Sequence, residues 1–499
     1  MSTNRRDFIK YVVAGSIAAA CPIDLSLLPA ETAPQPAVEG EDNRICHQVR
    51  DGKSFSHPPA SGRHDFVIVG GGISGLTAAY LLRDQDFLLL EKEPHFGGNA
   101  YVMDYQGMPY ATGAAFIWSG DVAYPFAKEI GLEPLPIDNW DGSIINGEFI
   151  PDTWGVGLDK LPYPAAVRES FKRFKKEMLA IDVKKGHDLW ETPFSTFMKG
   201  HAPEVKEWWD TYGPSNWGAI SDETAAAIGI AELQAGASDN REDVRYTWPG
   251  GNGAISQRLS EILLAKNADR MAAGATAVAV VPGKDRVKVT YIQNEKPITV
   301  DAKAVVMASP KFITRRLVHG LPEKQGEAMH KIRYIPYPVV NLIFDKPVFN
   351  KGYDTWCPGN TFTDFIVADW VVRNQPGYQQ KFNILTCYTP MKEDDRGYLL
   401  TEGSTRKVAA RVLADFQKLF PGSNVDPVEV HIYRRGHPLY MSTPGLFTQT
   451  QPVVRHSMDR IFFANTDSEG PESTTSQAIS AAKRAVKEAR QRLTGKAAA

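Results

Sequence analysis

Four cysteines in 499 residues are too few for a disulfide framework, and no two stand as C-x-x-C, so neither a paired-cysteine zinc site nor a covalent c-type haem has support. No metal site is expected. An excess of charge of one sign is also missing: 56 basic residues meet 58 acidic ones for a net charge of −2, and no basic cluster interleaves with aromatics. That argues against a nucleic-acid partner. No apolar run reaches the ~20 residues of a membrane-crossing helix. What is present is an ordinary globular composition, 43% hydrophobic and 23% charged, long enough for two or three domains.

The chain opens with NRRDFIKYVVAGSIAAA over residues 4–20, where Arg5-Arg6 precede Phe8, Lys10 and a short apolar stretch from Tyr11 to Ala20. The stretch has the length of a signal-peptide core and not of a membrane span. It resembles a twin-arginine export signal, here assigned to residues 1–33. The resemblance implies the twin-arginine translocase as a partner, a periplasmic location, and a mature protein without a transmembrane helix. An uncleaved anchor is the other reading of the same stretch. Cleavage near Ala33 would discard Cys21, whereas Cys21 directly after Ala18-Ala19-Ala20 is placed for a lipid anchor. In an oxidising compartment Cys357 and Cys387 could pair. Residues 34–63, rich in Pro, Gly, Ser and charge without periodicity, read as a linker or extended arm.

The organising stretch is His64 to Asn99. Phe66 to Val69 is an apolar strand, Gly70, Gly72 and Gly75 satisfy G-x-G-x-x-G, and Leu76 to Leu82 reads as a helix. Gly70 permits the tight turn, Gly72 admits a pyrophosphate to the backbone, and Gly75 allows close helix–strand packing. The helix start, at Ile73 and Ser74, leaves free N–H groups for negative charge. A second strand, Phe87 to Leu90, ends at Glu91, some twenty residues beyond Gly70, where a carboxylate grips a ribose hydroxyl. Glu91, with Lys92 beside it, favours FAD or NAD over NADP, which calls for an arginine.

The fingerprint, the acid and then Gly97-Gly98 resemble the flavin-containing amine oxidase and phytoene desaturase superfamily of FAD enzymes, and within it the spermidine dehydrogenase branch. In that family the glycine doublet lies beside the cofactor phosphates and is usually followed by arginine; here Asn99 follows. Tyr110 to Ile117 resembles the family segment beside the isoalloxazine ring, with Thr112, Gly113 and Ala114 at the flavin, although a small-residue core turn would look the same. Pro249 to Gly253 followed by a helix from Ala254 to Lys266 matches the second glycine-rich turn. Short strands at Ala277–Val281, Val287–Tyr291 and Ile298–Val300 read as an antiparallel meander, and Ala304–Met307 as a buried strand. A meander returning to a central strand fits this family, with Ala277 and Val278 as cofactor contacts. No second G-x-G-x-x-G appears, so FAD is the sole dinucleotide expected.

The C-terminal segment repeats the resemblance. Arg460 to Ala464 is a strand ending at Asn465-Thr466-Asp467, and Thr474 to Leu493 is a helix with Ala478, Ile479, Ala482, Val486, Ala489 and Leu493 on one face. In the family, the acid, here Asp467, lies near the ribityl and phosphate region. The helix start, here Ser476 and Gln477, points at the flavin's pyrimidine edge, where its dipole favours the charge of the reduced ring. Asp467 could instead serve only at the helix entry. Thr474 and Gln477 depart from the aromatic and glycine of amine oxidases, which leaves Tyr440 as the candidate catalytic aromatic, with core packing as its other reading. The lysine that holds a water at flavin N5 in amine oxidases would fall near Val339, and none occurs between Tyr334 and Phe344.

The tryptophans from Trp140 to Trp217 read as core, with some walling a substrate pocket. Asp222-Glu223 read either as a helix-start pair or as a polyamine-binding pair. The strands Val339–Phe344, Phe382–Tyr388 and Val428–Tyr433 and a helix from Arg406 to Phe420 belong to the substrate side. The expected fold class is therefore α/β. A Rossmann-type FAD-binding domain over 64–118, 246–328 and 456–495 is interleaved with an α+β substrate domain over 119–245 and 329–455. The expected activity is removal of a hydride from a C–N bond of an amine or polyamine, with electrons passed to an external periplasmic acceptor. The alternatives are a desaturase or isomerase of an apolar C–C bond, and a non-catalytic flavin-binding electron carrier.

Overall fold

Alternate residues of Phe66–Val69, the buried half of the strand Gly62–Val69, face two different cores, and this explains the layering around the strand. Phe66 and Ile68 pack with Leu76, Ile479, Ala482 and Val486, from the helices Ile73–Leu81 and Thr475–Thr494. Val67 and Val69 face the opposite core with Val280, Val305 and Met329. A strand buried on both sides must be a near-continuous apolar run, which is how it reads in sequence. The computed structural model describes residues 35–237, 244–421 and 425–495. The twin-arginine stretch and Cys21 lie outside them.

Gly62–Val69 sits inside a seven-stranded sheet. Met271–Ala272, Phe87–Leu90, Gly62–Val69 and Lys296–Met307 run parallel in that order, and Ile461–Phe463 joins Lys296–Met307 in parallel. The meander Ala275–Pro282 and Val287–Gln293 closes on the same strand. Here the expectation of two separate strands is corrected. Lys296–Met307 is one strand of 12 residues, antiparallel to Val287–Gln293 over its first half and parallel to Gly62–Val69 from Val300 onward. Asp301 and Lys303 interrupt the apolar run in sequence, but a strand changing its neighbour's direction keeps its own ladder.

A second sheet has eight strands in the order Ala37–Gly40, Glu429–Arg434, Val339–Phe344, Asn383–Tyr388, Asp364–Val367, Asp354–Trp356, Gly142–Ile145 and Glu148–Ile150. The helix Glu402–Lys418 covers it with Val408, Val412, Leu413 and Phe416, and Thr401 caps that helix by accepting from Ser404 N at 3.2 Å. A third, mainly helical core gathers Trp154, Trp208, Trp209 and Trp217 with Phe171 and Phe174. Two expectations are corrected. The arm at 34–63 is partly regular, with the strand Ala37–Gly40 and the helix Arg44–Arg50. Cys357 and Cys387 are buried free thiols and are not joined. No helix among the described residues is long and apolar enough to cross a membrane.

Candidate functional site: a flavin cavity meeting an acid-lined cavity

At the carboxyl ends of the parallel strands the chain turns sharply and opens a cavity. Gly70 takes a φ of +108°, and a Cβ on Gly75 would fall on the Gly70 carbonyl oxygen, so neither position admits a side chain. Gly72 differs. A Cβ there would meet nothing closer than Gly98 Cα at 3.7 Å, because its open side faces the cavity. The helix that starts at Ile73 has no side-chain cap, which leaves its first amides directed at this space. Gly97 N donates to Gly71 O at 2.9 Å and brings the glycine doublet alongside.

Glu91 lies at the next corner of the cavity, 7% exposed. Gly71 N donates to its Oε2 at 2.6 Å and Glu93 N to its Oε1 at 2.9 Å, fixing the carboxylate, while burial pushes its pKa up. Lys92 pairs with Glu93 beside it. The other end of the cavity is formed by Asn465, Thr466, Tyr440 and the start of the C-terminal helix at Ser473, Thr474 and Thr475.

Arg435 lies where this cavity meets a second one, and it lines both. It is 2% exposed. Its Nη1 donates to Thr112 O, its Nη2 to Thr112 Oγ1 at 3.0 Å and to Gly98 O at 3.2 Å, and its guanidinium stands 4.2 Å from the Tyr433 ring centroid. Among the described residues no carboxylate reaches it at ion-pair distance. Its direct hydrogen-bond partners are all neutral, with Glu41 and Glu93 acting on it only from a distance, so burial lowers its pKa and an arriving anion would offset that cost.

The second cavity is walled by Phe116, Trp118, Tyr337, Trp356 and Tyr388 and carries five acids, Asp121, Glu232, Asp354, Asp364 and Glu472. Asp364 accepts from Ser215 Oγ at 2.8 Å and Thr363 Oγ1 at 2.6 Å, yet burial pushes it up to about 7. Burial and the charges of Glu232 and Asp121 push Glu472 up to about 8. Asp354 is raised by burial and by Asp141 and Asp364, and its Oδ1 has no hydrogen-bond partner. Beyond the second cavity's Phe116 and Trp118 side, in a neighbouring cavity, Arg245 pairs with Asp141 at 2.5 Å and stands 5.0 Å from the Phe116 ring centroid. A wall of this kind attracts a cation and can accept a proton near neutrality.

The family model described as flavin containing amine oxidoreductase matches residues 73–490. The chain belongs to that family. Among its relatives, oxidoreductase PigB of Serratia sp. (strain ATCC 39006) is 24% identical over 503 residues, covering 84% of this chain and 73% of that protein. The flavin-containing amine oxidase A of Equus caballus is 23% identical over 459 residues, covering 81% of this chain and 80% of its own. The solved cyclohexylamine oxidase of Brevibacterium oxydans IH-35A superposes with a TM-score of 0.66 at 17% identity, over 87% of this chain and all of that one. At that identity the likeness is one of fold.

For this flavin amine oxidoreductase the cofactor is FAD, and the residues fit it. The uncapped amides from Gly72 to Ser74 suit a pyrophosphate, Glu91 a ribose, and the helix start at Thr474-Thr475, together with Arg435, an electron-rich ring. Of the residues expected from the sequence, Gly70, Gly72, Ile73, Ser74, Glu91, Lys92, Gly97, Gly98, Asn99, Ala114, Ala277 and Tyr440 line this cavity. Gly113 faces the second one, and Tyr388 OH donates to its carbonyl at 2.6 Å. Asn99, in place of the family arginine, donates through Nδ2 to Pro438 O at 2.7 Å.

The structure places the remaining expected residues behind the wall. Gly75 serves packing, Thr112 holds Arg435, and Val278 is the buried, unpaired residue of a β-bulge between Ala277 and Ala279. Ser476 Oγ accepts from Ala123 N at 3.2 Å, and Gln477 packs against Gly470. Asp467, fully buried, accepts from Lys311 Nζ at 2.6 Å and Tyr334 OH at 2.6 Å, so its carboxylate is engaged away from the cavity. Tyr440 is 1% exposed and donates to Gly470 O at 3.2 Å. Asp222 and Glu223 are bound to Lys206 at 2.9 Å and Arg333 at 2.7 Å outside both cavities. Sequence reasoning missed Arg435 and all five acids. For Arg435 a signal existed, a double arginine ending a buried strand at Arg434-Arg435-Gly436. The acids carried none, since nothing in their local sequence sets them apart.

Proposed function

We propose that this chain is an exported FAD-dependent dehydrogenase that removes a hydride from the C–N bond of a cationic amine, polyamines included, and passes the electrons to an acceptor other than oxygen. The acid-lined cavity meeting the flavin cavity at Arg435 carries the reading. A desaturase of an apolar chain calls for an apolar tunnel, and a pure electron carrier has no use for five convergent acids. The names of the relatives, an amine oxidase and a cyclohexylamine oxidase, support an amine.

Bound FAD supplies the hydride acceptor. The protein's own tasks are then binding, orientation and a proton. Asp364, which ionises near 7, attracts the ammonium group, the unpartnered Asp354 Oδ1 offers it a hydrogen-bond acceptor, and the aromatic walls exclude water from the carbon that reacts. The amine must be neutral before its C–H bond breaks, and Glu472, whose raised pKa makes it a better base than an ordinary carboxylate, lies next to the junction to accept that proton. Water then hydrolyses the resulting imine.

The preference for an acceptor other than oxygen rests on cations. Among the described residues that line the two cavities, Lys92 is the lysine, and it is tied to Glu93 at the ribose end. The buried Lys311 is held by Asp467. Neither replaces the lysine absent near Val339. Export rests on Arg5-Arg6 and the apolar stretch after them.

The deciding experiment is anaerobic titration of the yellow holoenzyme with a panel of amines. Bleaching by a mono- or polyamine, and not by an apolar alkene precursor, is the expected result; no bleaching by any amine would overturn the reading. Reduced enzyme mixed with air-saturated buffer should reoxidise far more slowly than with an artificial acceptor, and equal rates would make it an oxidase. Replacing Arg5 and Arg6 by lysine should leave FAD-loaded protein in the cytoplasm.

A further inference from the structure

The family match begins at residue 73, yet one wall of the flavin cavity is made by residues ahead of it. Ala37–Gly40 runs parallel to Glu429–Arg434 at the edge of the second sheet, with Val38 opposite Ile432 and Gly40 opposite Arg434. Arg406 Nε donates to Pro36 O at 3.1 Å and secures the approach. The chain then crosses the mouth of the flavin cavity, where Glu41, Asn43 and Cys46 join its lining. Asp42 N donates to Glu93 Oε1 at 3.0 Å. Beyond the crossing, Arg44–Arg50 packs on the helix Lys311–Leu317 and the strand Ala275–Pro282, and Arg316 Nη1 donates to Arg50 O at 3.0 Å.

This segment is therefore fastened to the second sheet at one end and to the nucleotide-binding layers at the other. Its middle stands at the Glu91, Lys92 and Glu93 end of the cavity, and Cys46 lies in the field of all three. Gly40 shows how closely the fastening is fitted. Its φ is +122°, and a Cβ there would fall on the backbone of Arg434.

We propose that residues 37–50 are a strap over the ribose end of the FAD site, contributing Glu41, Asn43 and Cys46 to it, and that FAD leaves only when the strap lifts. A ligand enclosed on its open side dissociates no faster than the enclosure opens, and opening here means breaking a parallel strand pairing and undocking a helix. The helix α-dipole site at Gly72 holds the pyrophosphate with the strap open or closed; the strap governs the rate.

Two measurements test this. Gly40→Val should unseat the strand from Arg434, so flavin fluorescence released after dilution of the holoenzyme should rise at least tenfold faster than in the wild type. An unchanged release rate would overturn the proposal. Should that variant fail to fold, the unaltered protein provides the second test. Cys357 and Cys387 are fully buried, so a thiol reagent followed by peptide mass mapping, which separates the Cys46 peptide from that of Cys21, reports Cys46. FAD-loaded protein should modify at Cys46 at least tenfold more slowly than flavin-stripped protein. Equal rates in the two states would show that the strap does not respond to the cofactor, and the proposal would fall.

Discussion

The end of the flavin cavity suited to phosphate and ribose is lined mainly by one continuous stretch, Gly70 to Asn99, whereas the cavity beside it draws Asp121, Glu232, Asp354, Asp364 and Glu472 from five separate segments. The first must present backbone N–H groups in a fixed order, and only consecutive residues can do that. The second needs negative charge within a few ångströms of a point, and any carboxylate the fold delivers will serve. One site is a conformation and the other is a field. They should therefore respond to mutation in different ways.

The largest expected effect lies in the conformational site. Gly72→Leu should yield folded but colourless protein, because the Cβ itself is tolerated while the rest of the side chain fills the pyrophosphate space. The check is the flavin-to-protein absorbance ratio, together with a circular dichroism spectrum like the wild type's. If Gly72→Leu keeps its flavin, the cavity has been assigned to the wrong ligand.

In the field the effect should be graded. Asp354→Asn should raise the KM for amine about tenfold or more, roughly the 1.5–3 kcal/mol of a hydrogen bond to a charged group, with flavin content unchanged. The pH dependence has a definite sign. Asp364, near 7, and Glu472, near 8, ionise as pH rises through those values, so amine affinity should strengthen from pH 6 to pH 8.5 and weaken in the reverse direction. Stability follows the opposite course. Glu472's folded value lies above its ordinary 4.5, so its contribution is complete below 4.5 and lost as pH climbs through about 8. Glu472→Gln should accordingly flatten both profiles at their alkaline end, as measured by KM and by thermal unfolding.

Arg435 belongs to both cavities and sharpens the comparison. Arg435→Gln should lower the flavin midpoint potential by roughly 30–60 mV, since about 30 mV corresponds to 1.4 kcal/mol for a two-electron couple, and should leave the amine KM nearly unchanged. A potential that does not move would place the guanidinium away from the ring. The smallest effect is expected at Asp222→Asn, where the exposed ion pair with Lys206 is worth under about 1 kcal/mol. Amine KM should not respond there, because that acid lies outside both cavities.

What could be read in advance follows the same division. The strands from Phe66 to Val69 and Phe87 to Leu90, the helix after the fingerprint and the C-terminal helix were all legible, because each carries its periodicity within itself. The single strand from Lys296 to Met307 was not, since its two halves answer to different neighbours. Asp467 looked like a cofactor ligand from its place after a strand. Its partner Lys311 stands 156 residues away in sequence, and no local pattern announces such a pair. The strap was invisible for a related reason: residues 37–40 are regular only because Glu429–Arg434 offers them an edge.

That last pairing sets a timetable for the chain as it is made. Residues 37–40 leave the ribosome early, but the strand they pair with ends at Arg434. At roughly 5–20 residues per second, the arm waits on the order of 20–80 s before its partner exists. Throughout that interval residues 37–40 are unpaired. The open side of the flavin cavity is therefore among the last parts of the molecule that can close.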